Sequence, residues 1–194
     1  MLRFIVPRIR SSEIALLIGA TVLGGLVAGA YGVIHDQITY SISHEYFTKL
    51  KFDQFHYADF GLGHRFYAGT IGFLASWWVG AIAAWFLARR LLPVQASESS
   101  TLNRPSVFRQ IGLGILVMLG VVLLFGVGGY GYGLWRGPDA DYGMWLPITQ
   151  PLGVEDSYSF IRVAYIHNAS YLGALVGLIV ALLTLRRQDG SSND

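Results

Sequence analysis

Four uncharged, mostly apolar runs, residues 14–34, 66–87, 111–130 and 163–185, fix what this chain can fold into. At about 1.5 Å of rise per residue, a helix of roughly 20 residues crosses a hydrocarbon core of about 30 Å. Each run reaches that length. Within lipid the backbone must satisfy its own hydrogen bonds, so four such runs predict four helices. Only 13% of the residues are charged and mean hydropathy is +0.47, whereas soluble domains carry about 25% charge. The expected fold is an all-α membrane protein, a four-helix transmembrane bundle forming one integral membrane domain over residues 1–194.

The first run follows Arg3, Arg8 and Arg10, as in a signal peptide, and Ala28-Gly29-Ala30 resembles a cleavage site. A signal core spans only about 7–15 residues, so the run is expected to remain as an uncleaved first helix. Small residues recur every fourth position in Ala20/Gly24/Ala28/Gly32, Gly72/Ser76/Gly80/Ala84 and Ala169/Gly173/Gly177/Ala181. Such stripes let helices approach closely. They predict tight packing, with a surplus stripe available to a homo-oligomer or larger membrane complex.

Lysine and arginine set the expected orientation. The N-terminal segment, the 88–110 linker and the C-terminal tail are rich in arginine, while segments 35–65 and 131–162 carry more acidic than basic residues. By the positive-inside rule both termini are cytoplasmic (N-in/C-in), and 35–65 and 131–162 are two structured extracytoplasmic loops. The expected location is a multi-pass position in a bacterial cytoplasmic (inner) membrane. Segment 131–162 is expected to be non-helical because glycine and proline crowd it, with Trp135 and Trp145 at the headgroup level.

Histidine concentrates on the outer side. His35 closes the first run, His64 opens the second, and His167 lies just inside the fourth. Three imidazoles on three helix ends predict a metal site, with Asp36 or Glu45 as a further ligand or supporting partner. Imidazole and carboxylate suit zinc, iron, copper or manganese. A haem held by two of the histidines, with Arg65 or Arg162 near its propionates, is the other cofactor this pattern allows. The plainer alternative makes His35 and His64 solvated boundary residues and bonds His167 to a neighbouring helix. Between the first two runs, Ser43 is placed to cap an interfacial amphipathic helix. Tyr46, Phe47, Leu50 and Phe55 would face membrane or core, and Lys49, Lys51 and Asp53 water. Tyr46, Phe47, Trp135 and Trp145 are the expected interaction residues.

Other chemistries find little support. There are no cysteines, hence no disulfide, thiolate metal site or cysteine nucleophile. A net charge of +2 without a basic, aromatic-studded surface gives no nucleic-acid partner. Gly126–Gly131 fits G-x-G-x-x-G but follows a membrane run rather than a strand. His44-Glu45 lacks the second histidine of H-E-x-x-H, no G-x-S-x-G nucleophile elbow occurs, and no charge lies at mid-depth of a span. No catalytic residue is expected. The first expectation is a non-enzymatic accessory or structural subunit presenting its outer loops to a partner. The alternative is a metal- or haem-binding membrane protein, and a small transporter or channel is a weaker third.

Overall fold

The computed structural model describes residues 11–92 and 104–185. Arg3, Arg8, Arg10, Arg186 and Arg187, on which the orientation argument leans, lie outside the described residues, as does the centre of the 88–110 linker. The described fold is all-helical, and four of its helices are long and apolar enough to cross a membrane. They are α1 (Ser11–Ile42), α4 (His64–Leu91), α5 (Arg104–Arg136) and α7 (Ser157–Thr184). Between α1 and α4 come the short helices α2 (His44–Tyr46) and α3 (Phe52–Gln54), joined by a π-helical turn, Phe47–Lys51, and followed by a 3₁₀ turn. A second 3₁₀ turn and α6 (Leu146–Thr149) lie between α5 and α7.

The long helices outrun their apolar segments. The first was expected to end at residue 34, yet α1 continues to Ile42. No glycine or proline interrupts Asp36–Ile42, and its hydroxyls bond back into the helix, Thr39 to the His35 carbonyl and Ser41 to the Gln37 carbonyl. The expected loop beginning at residue 131 is likewise helical as far as Arg136. Here glycine serves packing rather than breaking the helix: a Cβ on Gly129 would sit 2.6 Å from the Tyr165 carbonyl oxygen. The α5 backbone lies directly against α7, and the chain leaves the helix at Gly137 with φ +71°. The α7 helix starts at Ser157, where the Asp156 carboxylate accepts from the Ser159 N–H.

The helices form two tight antiparallel pairs, α1 with α4 and α5 with α7. The α1 and α4 stripes read from the sequence face each other, while Gly173 and Gly177 of the α7 stripe lie against Phe125 and Met118 of α5. Gly32 and Gly72 meet so closely that a Cβ on either would lie within about 2 Å of the other's carbonyl oxygen. Side chains join the pairs at both ends. Leu16, Leu17, Leu87, Leu91, Val107, Ile111 and Leu185 make one buried cluster, and Tyr40, Tyr46, Phe47, Phe160, Ile161 and Val163 make the other. A cavity of about 90 Å³ runs between the pairs, lined from all four long helices.

Candidate metal-binding site

At the aromatic end of this cavity, α1 presents His35 and Asp36 while α7 presents His167. Asp36 and His167 are 4% and 5% exposed. The His167 Nδ1 lies 3.0 Å from the Val163 carbonyl oxygen, and a carbonyl can only accept, so Nδ1 carries the proton. In the neutral ring Nε2 is then a lone pair, and it faces Asp36 Oδ1 at 3.3 Å. Two acceptors at that distance need a positive charge between or upon them. His35 completes the group: its ring meets that of His167 edge to face with centroids 4.8 Å apart, and its Nδ1 is 3.3 Å from the Tyr31 hydroxyl.

One potential ligand atom from each of His35, Asp36 and His167 falls within 4.8 Å of the others. An ion with bonds of about 2.0–2.2 Å needs donors roughly 3 Å apart. The three would therefore draw together by an ångström or so, within reach of side-chain rotation. Two imidazoles and a carboxylate on one face, with positions left open, suit zinc or ferrous iron. A haem does not fit, because rings in edge-to-face contact leave no gap for a macrocycle between two axial ligands.

The aromatic ends of the short helices close over the cluster. Ser43 accepts from the Tyr46 N–H as the N-cap of α2. The next residues then take the wider π turn, a geometry frequent at functional sites. Tyr46 stacks on His167 with centroids 4.9 Å apart at 30°, and Phe47 lies fully buried behind it. The π turn also brings Lys51, half-buried, to the cavity wall with Asp36. Burial lowers its pKa, an effect that the Asp36 carboxylate opposes.

Several expected site residues lie elsewhere. His64 is exposed, 3.4 Å from the Tyr40 hydroxyl through Nδ1, and is not in the group of three. Glu45 ties the α1–α4 and α5–α7 connections together: its carboxylate accepts from the Glu155 and Asp156 N–H groups and pairs with Lys49 at 3.0 Å. Arg65 is engaged with Gln37 and Ser41, and Arg162 lies over the Tyr130 and Tyr158 rings. Tyr46, the last residue of α2, and Phe47, the first of the π turn, are interior, on the core side expected of them and not on a free surface. Trp145 is half-buried against Tyr165, while Trp135 is 78% exposed.

Lys51 is the residue that sequence reasoning placed wrongly, on the water face with Lys49. A signal was present, since residues two apart on a helix do not share a face. Protein-family models, curated proteins and solved structures yield no match to this chain. The site itself must carry the functional argument.

Proposed function

We propose that this is a multi-pass membrane metalloprotein that binds a transition metal ion through His35, Asp36 and His167. The carrying observation is the buried lone pair of His167 Nε2 set against Asp36 Oδ1, with His35 in ring contact. Buried groups of this kind are strongly unfavourable unless a proton or cation joins them. A metal between them uses all three side chains, whereas a shared proton leaves His35 without a role. The Val163 carbonyl and Tyr31 hydroxyl act as outer partners that fix the two rings. Arg89 and Arg90, which end α4 away from the histidines, together with the arginine-rich sequence of the termini, support an N-in/C-in orientation with the metal near the outer surface.

The accessory-subunit reading loses two of its four contact residues to the interior. Trp135, with Met144 exposed in the neighbouring segment, is the surface that still favours partner docking.

Elemental analysis of gently detergent-purified protein tests the proposal, with His167→Ala in parallel. Near-stoichiometric zinc or iron that is lost in the variant is the expected result. A blank in both preparations, even after adding the metals at neutral pH, overturns the metal reading and leaves an imidazolium–aspartate pair.

A further inference from the structure

Inward from His35, Asp36 and His167 the cavity follows the bundle axis, its α1 wall reaching from His35 to Gly24, roughly 16 Å of helix. Its volume of about 90 Å³ is thinly drawn over that length. An apolar cavity of about 150 Å³ holds one benzene ring. This one therefore excludes rings and long chains, and leaves room for molecules of a few atoms. Inward of Tyr31 its wall is apolar save for Ser76, with Val27, Ala75, Val79, Ala83 and Met118 contributed by three helices. An ordered water needs roughly two to four polar partners. A single hydroxyl does not supply them, so the inner cavity stays dry.

The two ends of the site differ. Tyr46 stacks on His167 and Phe47 lies fully buried behind it, which covers the cluster on its outer side. On the inner side the cluster faces the cavity. The two helix pairs touch each other far less than their members do, and Val27, Ala75, Val79 and Leu119 along the cavity are only half-buried. The seam between the pairs thus gives a small apolar molecule a route from the bilayer.

We propose that the cavity takes up dioxygen from the bilayer and holds it beside the open positions of the His35, Asp36 and His167 site. Dioxygen is small and apolar, so it enters hydrocarbon more readily than water. The same property admits it to a dry cavity where a polar molecule would lose its hydration without return. Two imidazoles and one carboxylate with open positions are the donor set of ferrous sites that use dioxygen, which selects iron over zinc here. That a ferrous ion meets the gas rests on the metal reading above; uptake into the cavity does not. Uptake is reversible and breaks no bond.

The test uses the full chain in lipid nanodiscs, with alanine and methionine methyl groups isotopically labelled and zinc supplied in place of iron. Dioxygen is then the only paramagnet, and it speeds the relaxation of methyl groups that it touches. Under dioxygen pressure, Ala83 and Met118, buried but on the cavity wall, are expected to relax faster than Ala68 and Ala88, which are fully buried away from it. Filling the cavity in Ala75→Leu should abolish this excess, and the milder Ala174→Val serves if the first variant does not fold. Equal relaxation at all four residues, or an excess that survives both substitutions, overturns the proposal. A second measurement follows the ferrous protein mixed anaerobically with nitric oxide, a diatomic of similar size. The electron paramagnetic resonance signal of a ferrous nitrosyl is expected, forming at least about tenfold more slowly in Ala75→Leu. Equally fast formation in wild type and variant overturns the passage. Metal content on the same samples separates the two readings. Stoichiometric metal without the methyl excess sinks the gas cavity alone, and the excess in a protein that takes up no metal sinks the metal centre alone.

Discussion

His167 Nε2 and Asp36 Oδ1 face each other at 3.3 Å, joined across the bundle from α7 to α1 and buried from water on both sides. Because the His167 Nδ1–H donates to the Val163 carbonyl, leaving Nε2 a lone pair in the neutral ring, the two atoms attract only through a cation or a second proton. Either way the residues act as a unit. Asp36→Asn and His167→Gln are each expected to destabilise the protein. The double variant should lose less than the sum of the two, by roughly 0.5–3 kcal/mol. Reversible unfolding in mixed micelles measures the cycle, and strict additivity would show that the pair is not coupled.

Lys51 gives a prediction of opposite sign. Burial holds its folded pKa below the ordinary lysine value, despite the Asp36 carboxylate. Between the folded pKa and about 10.4 the unfolded chain binds more protons than the native one, so stability from this group rises with pH. Lys51→Met removes the unfavourable buried ammonium. The variant is expected to melt above wild type at pH 7, with the gap closing as pH climbs towards the ordinary lysine value. A gap for Lys51→Met that stays constant with pH would contradict the burial argument.

What the sequence shows plainly is the part of the fold governed by one-dimensional rules. Run length against bilayer thickness identifies all four long helices, and four-residue spacing of small side chains marks the faces on which they meet. Helix ends are less legible, because they depend on tertiary partners. The glycines near Gly129 look like breakers until the α7 backbone is set against them. Similarly, His35 and His167 are visible as a candidate pair because both stand at run ends on one side. His64 shares that position but points elsewhere, a rotational fact that no spacing rule contains. The inward side of Tyr46 and Phe47 is legible as the apolar face of their segment, and that of Lys51 from its two-residue offset from Lys49, whereas the π-helical turn itself has no sequence signature as clear as a proline or a cap.

Glu45 couples the α1–α4 and α5–α7 connections in a way that acid should undo. Burial raises its pKa, but the Asp156 and Glu155 N–H groups and the Lys49 ammonium outweigh it and hold the carboxyl below its usual range. A depressed carboxyl stabilises fully above the unfolded value of about 4.3 and loses its contribution as pH falls through the lower folded value. Glu45→Gln is therefore expected to cost roughly 0.5–1 kcal/mol at pH 7, a modest figure because water reaches the site. Melting curves of the two proteins should converge in acid. If they remain parallel down to the lowest accessible pH, the ionised carboxylate is not what holds α7 to the α2 segment.

The closest backbone contact makes the sharpest packing prediction. A methyl group on Gly72 would sit 2.1 Å from the Gly32 carbonyl oxygen, and backbone cannot swing aside as a side chain can. Gly72→Ala must push α1 and α4 apart, at a cost of roughly 1–3 kcal/mol with the upper end expected. Because Gly72 lies on the same helix face as the cavity wall and its Cβ would also reach to 3.0 Å from the Asp36 Cβ, the displacement should loosen the His35, Asp36 and His167 group as well. Gly120→Ala is the matched control: nothing lies within 4 Å of a Cβ at that position. There alanine should be neutral, or stabilising by up to about 1 kcal/mol through helix propensity. Equal effects at the two positions would mean that α1 and α4 do not meet through Gly32 and Gly72, and the geometry that sets Asp36 opposite His167 would lose its support.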